Sequence, residues 1–175
     1  MRAPRSSSGP PLTGPVAVDG VKASRSTEIV RQVVALAGGG LRGARLGVWG
    51  LQPRHGRGVG DSAAVAVARR LVLAGATVSA YEPTAAMAPG VELVASPLLA
   101  VDRADVLVIL TAWPELELVD LADVRRAMAH PRLVDACAMV DRAEAEALGF
   151  VVAPTCGRPR RVADTGARRR DVPIA

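Results

Sequence analysis

The residues best suited to chemistry in this 175-residue chain crowd into one stretch, Gly50 to Gly60. Four glycines and a proline alternate there with Arg54, His55 and Arg57. Backbone N–H groups of a loop that opens into a helix N-terminus make an anion site, and phosphate is its natural guest. Gly56-Arg57-Gly58-Val59-Gly60 lacks the spacing of the dinucleotide fingerprint, and glycines after a strand also serve simply to turn the chain. The remaining reactive side chains are dispersed. Cys137 and Cys156 form no CxxC or Cys/His cluster, and His55 and His130 have no ligand-spaced neighbour, so neither a metal site nor a disulfide framework is expected.

The elements around this stretch form one unit. Arg45 to Trp49 is a short apolar run that reads as a strand. Ser62 to Ala74 is an alanine- and valine-rich helix with Asp61 or Ser62 as its cap, and Gly75 ends it. Thr77 to Tyr81 carries β-branched residues at strand spacing and closes at Glu82-Pro83, completing a βαβ unit. Further on, Val91 to Ala95 reads as a short strand or extended loop, and Ser96 to Arg103 as a helical segment. Val106 to Leu110 is a continuous apolar run, the mark of a central strand covered on both faces. Asp120 to Ala129 is a helix, Leu133 to Ala136 a strand, Asp141 to Leu148 a helix capped by Asp141, and Phe150 to Ala153 a last strand. Before the unit, Ile29, Val30, Val33, Val34 and Ala37 fall at helical spacing between the start signals Ser26-Thr27 and the stop Gly38-Gly39-Gly40. This amphipathic helix wants a partner for its apolar stripe.

One domain is expected from 175 residues with 50% hydrophobic content. The net charge of +5 divides unevenly. Residues 1–43 hold six Lys or Arg against Asp19 and Glu28, and residues 156–175 hold six Arg against Asp164 and Asp171. Residues 44–155 hold ten Arg against thirteen Asp or Glu. Basicity therefore sits in the arms, and a nucleic-acid footprint on the domain is not expected. The chain divides into a disordered lead-in (1–25), a helix (26–40), an α/β domain (44–157) and an Arg-rich disordered tail (158–175). Neither an apolar h-region nor a membrane-length run occurs, so a cytoplasmic protein without membrane contact is expected.

The order of the motifs resembles the C-terminal, UDP-binding domain of the UDP-glucose/GDP-mannose 6-dehydrogenases over about residues 26 to 159. Val48 to Ser62 occupies the place of that family's Gly-Leu-x-Phe-Lys-Pro and Asp-Asp-x-Arg-x-Ser-Pro segments. ARRLVLAGATVSAYEP is similar to Arg-Leu-x-x-x-Gly-Ala-x-Val-x-x-Tyr-Asp-Pro, with Glu82 for the acid. ADVLVILTAWPEL, Ala104 to Leu116, is similar to Ala-Asp-x-x-x-x-x-Thr-x-Trp-x-x-Phe. VDACAMVD stands where the family has Val-Asp-Gly-Arg-Asn, and ALGFVVAPTCGRP where it has Ala-x-Gly-Phe and a closing Gly-Arg. The resemblance implies a three-layer α/β/α Rossmann-like sheet, mostly parallel, preceded by one amphipathic helix. It also implies that residues 26–37 match the end of a dimerisation helix.

For the site, the resemblance implies substrate contacts at Gly50, Gln52, Thr111, Trp113 and Asp135, and the loop's own charges add Arg54, His55 and Arg57 as candidates. Three family cations are replaced. The lysine falls at Gln52 or Pro53, the turn arginine at Gly60, and the arginine after Asp135 at Cys137. Each replacement removes a charged hydrogen bond of about 1.5 to 3 kcal/mol. Arg54, His55 and Arg57 bring positive charge back into the same loop, either to hold a diphosphate differently or as solvated residues. Trp113 is a ligand contact or a packing anchor. The family's NAD domain and catalytic-cysteine motif do not occur among these residues, and a chain lacking both is not expected to run the oxidation alone. NAD is thus implied for the parent family, with no cofactor expected on this chain by itself. The expected role is a stand-alone UDP-sugar binding domain. The alternatives are an interaction or dimerisation module, pairing through helix 26–37 with itself or a complete dehydrogenase, and a subunit of a split dehydrogenase.

Overall fold

A computed structural model describes residues 16–53, 62–84 and 88–154, with side chains from residue 25 onward. Helix α1 spans Val16–Leu36, followed by β1 (Arg45–Trp49), α2 (Ala63–Leu73), β2 (Thr77–Tyr81), β3 (Val91–Val94) and α3 (Pro97–Val101). Then come β4 (Val106–Ile109), a 3-10 turn at Pro114–Leu118, α4 (Leu121–Ala127), β5 (Arg132–Asp135), α5 (Arg142–Ala147) and β6 (Val151–Val152). The six strands form one sheet in the order β3-β2-β1-β4-β5-β6, every neighbouring pair parallel. This is the expected Rossmann-like α/β sheet.

Strand β4 shows why the sheet must be sandwiched. Its four residues are all buried, and they alternate between two apolar clusters. Val106 and Val108 join Val48, Val78 and Val134 on one face, while Leu107 and Ile109 join Trp49 and Leu133 on the other. The crossovers put α3, α4 and α5 on the second face, where Val101, Val124 and Ala145 pack. On the first face only α2 is supplied by a crossover, and it covers the β1 to β3 half. The other half is covered by α1, whose Ile29 and Val33 are buried in the same cluster as Val106, Val108 and Val134. The stripe expected to seek a partner is therefore covered within the chain.

The helix also begins earlier than expected. It starts at Val16, so residues 16–25 of the proposed lead-in are helical. Ser26 was the natural start signal, yet it lies buried inside the helix. Backbone bonding carries through it, and the one glycine upstream, Gly20, costs only about 1 kcal/mol in a helix interior. The stop is as expected, with Gly38 in the left-handed region at φ 94°. The N-caps fall where expected for α2 and α5, with Ser62 Oγ accepting from Val65 N (3.0 Å) and Asp141 Oδ1 from Glu144 N (3.0 Å). The 3-10 turn was not anticipated, because Pro114 to Leu118 lacks a helical period. Residues 1–15 and 155–175, including Cys156 and the Arg-rich tail, lie outside the described residues.

At the amino end of the sheet, Asp105 ties β4 to β1. One carboxylate oxygen accepts from Arg45 N (2.8 Å) and the other faces His130 Nδ1 (3.0 Å). Burial alone would raise this carboxyl, but the hydrogen bonds from the Arg45 amide and the His130 ring outweigh it and hold it below its usual value.

Two outcomes are expected. Val33→Ala should lower unfolding free energy by about 2 kcal/mol in urea titrations, because the cavity opens between α1 and the sheet. A neutral result would mean α1 is not part of the core. Asp105 has a folded value below its unfolded one of about 3.9, so its stabilisation is present above that pH and is lost as pH falls through the folded value. Asp105→Asn should therefore be less stable than wild type near neutral pH, and the gap should shrink below about pH 4. Denaturation midpoints measured across that range check this.

Candidate functional site

In open α/β sheets, ligands sit beyond the carboxyl ends of the strands, where the strand order reverses. Here the reversal lies between β1 and β4. Leu110 N and Thr111 N both donate to Trp49 O (2.9 and 3.3 Å), which zips the two exits together. Gly50 follows at φ +78°. A Cβ on it would lie 2.5 Å from Thr111 Cβ and 2.8 Å from Thr111 O, so glycine is required for this approach. Gly50 N donates across to Tyr81 O (3.0 Å), which also joins β2 to the rim.

The next two residues are held by their main chain. Leu51 N (2.5 Å) and Gln52 N (2.9 Å) both donate to Glu82 Oε2. Thr84 N (3.0 Å) and Thr84 Oγ1 (2.6 Å) donate to Glu82 Oε1. From the helix side, Ser62 Oγ donates to Leu51 O while capping α2. The Leu51 side chain is fully buried, and Gln52 is 7% exposed with its Nε2 lacking a partner. A second buried donor without a partner, Trp113 Nε1, lies beyond β4. An unpaired buried N–H costs about 1 to 3 kcal/mol, so such groups mark places where a ligand's acceptor can restore the balance.

The expected site residues thus separate. Gly50, Gln52 and Thr111 come together at the β1/β4 exits. Trp113 packs its half-buried ring against the cluster of Trp49, Leu107 and Leu116 on the far face of the sheet, which makes it an anchor with an open N–H. Asp135 is engaged in its own turn, with Oδ1 accepting from Cys137 N (2.9 Å) and Oδ2 from Val140 N (2.8 Å). Cys137 directs its Sγ to Ile109 O (3.6 Å). Pro53 is exposed at the start of the loop. Arg54, His55, Arg57 and Gly60 lie outside the described residues.

Two residues escaped the sequence. Arg25, from α1, donates Nη2 to Ala136 O at the exit of β5, and nothing in its surroundings in sequence marks it. Glu82 had a signal: an acid between a strand and a proline, facing a glycine loop whose amides need acceptors. In dinucleotide-binding sheets of this order an acid reads the ribose hydroxyls. A carboxylate offers about four lone-pair sites, and the four donors from Leu51, Gln52 and Thr84 occupy them. The residues present do not fit NAD in that mode. Among the described residues no group of three His, Cys, Asp or Glu side chains is arranged to hold a metal ion, and no helix is long and apolar enough to cross a membrane.

Comparison with known proteins agrees with this architecture. The model of the UDP-glucose/GDP-mannose dehydrogenase family, UDP binding domain, matches residues 48–142. A UDP-glucose 6-dehydrogenase of Rhizobium meliloti (strain 1021) is 34% identical over 145 residues, covering 79% of this chain and 33% of that protein. The chain thus spans about a third of the length of this curated relative. Among solved structures, an NDP-N-acetyl-D-galactosaminuronic acid dehydrogenase from Methanosarcina mazei Go1 superposes with a TM-score of 0.71 at 18% identity, over 87% of this chain and 34% of that one. This is a likeness of fold. A UDP-glucose dehydrogenase from the archaeon Pyrobaculum islandicum gives 0.51 at 29% identity, over 69% of this chain and 27% of that one.

The Gly50 geometry predicts that Gly50→Ala destabilises the protein by about 2 to 4 kcal/mol, since it combines a positive φ with a clash against Thr111. Thermal and urea unfolding measure this, and a change within experimental error would disprove the close approach.

Proposed function

This chain belongs to the UDP-glucose/GDP-mannose dehydrogenase family through its UDP binding domain, and we propose that it binds a UDP-sugar over the carboxyl ends of β1 and β4. The observation that carries this is Gln52: a side-chain amide more than nine-tenths buried, with Nε2 unpaired, at the strand-order reversal and directly beside the N-cap of α2. A diphosphate near that helix start meets a favourable dipole and free backbone donors. Gln52 Nε2 then donates to a phosphate or sugar oxygen. Arg54 and Arg57 are the proposed counter-charges for the diphosphate, with His55 beside them. Thr111 lines the β4 side of the cleft.

The role assigned to this chain is to bind and orient. Asp135 shapes the exit of β5 through its two main-chain bonds. Pairing through helix 26–37 loses the feature that motivated it, since Ile29 and Val33 are buried against the chain's own sheet.

Isothermal titration with UDP-glucose, UDP-glucuronic acid, GDP-mannose and NAD tests the proposal. A UDP-sugar is expected to bind at roughly millimolar Kd or tighter and to raise the unfolding temperature. Gln52→Leu, which removes the donor at similar volume, should weaken binding about tenfold, corresponding to about 1.4 kcal/mol. Replacing Arg54 and Arg57 together should weaken it further and flatten its salt dependence. No heat and no thermal shift with any UDP-sugar at several times roughly 1 mM would refute the proposal.

A further inference from the structure

We infer that Glu82 is a positioning residue for ligand binding. It fixes the main chain of Gln52 so that the unpaired Nε2 meets an acceptor oxygen of the nucleotide sugar, and it does not itself touch the ligand. This rests on the binding role proposed above.

The geometry is that of one peptide plane gripped at both ends. The bond between Leu51 and Gln52 presents its N–H to Glu82 Oε2 at 2.9 Å and its carbonyl to the hydroxyl of Ser62. With both groups held, rotation of that plane is blocked. The neighbouring amide, Leu51 N, converges on the same Oε2 at 2.5 Å, and the Leu51 side chain is fully buried in the core. The direction in which Gln52 leaves the backbone is therefore set before any ligand arrives, and less ordering entropy remains to be lost on binding.

The carboxylate that does this is itself fixed. Thr84 N and Thr84 Oγ1 hold Oε1 at 3.0 and 2.6 Å, so the carboxyl plane cannot swing away. Its position at the end of β2 links the grip to the sheet, because β2 pairs with β1 along its whole length, from Arg45↔Thr77 to Trp49↔Tyr81. Four accepted bonds leave Glu82 no lone pair for a ligand hydroxyl. Its influence on binding must therefore pass through Gln52.

That route makes the inference testable by a double-mutant cycle. UDP-glucose affinity is measured by calorimetry for wild type, Glu82→Gln, Glu82→Asp, Gln52→Leu and the Glu82→Gln/Gln52→Leu double variant. Amide hydrogen exchange at Leu51 and Gln52 is followed in the same proteins without ligand. Glu82→Gln turns an NH2 group or a single uncharged oxygen toward the two amides. It should weaken binding about tenfold in the wild-type background but less than about twofold when Gln52 is already Leu. Glu82→Asp keeps the charge and should recover most of the affinity. Exchange at Leu51 and Gln52 should accelerate by about a hundredfold in Glu82→Gln.

Equal losses in both backgrounds would reduce Glu82 to a general structural role and overturn the inference, as would unaltered affinity in Glu82→Gln. Unchanged exchange at the two amides in Glu82→Gln would overturn it even if affinity fell. If wild type binds no UDP-glucose while its two amides are protected, the fold is intact and the proposed function itself has failed, taking this role with it. Binding by wild type with no Glu82 effect removes this inference alone.

Discussion

A wholly parallel sheet has no face that water can cover, and this requirement governs the rest of the molecule. Strand β4 is buried on both sides, yet crossovers supply the first face with only one helix, α2. The sheet is completed by an element from outside the βαβ series, α1, whose Ile29 and Val33 fill the gap over Val106, Val108 and Val134. The helix is therefore part of the core. Its polar side chains extend the same joint upward: Arg25 reaches Ala136 O, and Gln32 Nε2 donates to Pro154 O at 3.0 Å. The exits of β5 and β6 are thus tied to the helix that covers them.

Above the sheet, the main chain is the principal building material. Gly50 brings the exits of β1 and β4 into backbone contact, Glu82 and Ser62 hold the peptide that follows, and Asp135 performs the same service for the turn after β5. Carboxylates that a sequence comparison would suggest for ligand contact are engaged in shaping loops. Among the described residues, the buried side-chain donors that remain without partners, on Gln52 and Trp113, belong to neutral side chains. In the proposed binding mode these described positions offer directed hydrogen bonds, and long-range attraction is the part proposed for Arg54 and Arg57.

Most of the fold was legible because hydrophobic pattern and caps point the same way. The continuous run from Val106 to Leu110 marked the central strand, Ser62 and Asp141 marked helix starts, and Gly38 marked a stop. The start of α1 was not legible: Ser26 is a good cap in isolation, and only burial in the folded state decides that it sits mid-helix. The destination of that helix was equally hidden, since periodicity reveals an apolar stripe but not what covers it. At the site, motif position marked Gly50 and Thr111, and the structure brings the two into contact at the strand exits. Glu82 was read as the end of a strand and as the family's acid position, but its task was hidden, because its partners are amides, and main-chain amides carry no sequence signature. Asp135 was assigned to substrate by motif position, although its two oxygens serve Cys137 and Val140.

Ser62 and Glu82 grasp main-chain groups at the two borders of the β1 to α2 segment, and a main-chain group is the same in every residue except proline. The anchors therefore do not discriminate among the amino acids between them. Side-chain changes between them leave these particular bonds available. Such a framework separates the requirements of recognition from those of folding. It also makes the segment a natural cassette for engineering, in which new sequences can be grafted between two fixed posts and screened for different anionic guests.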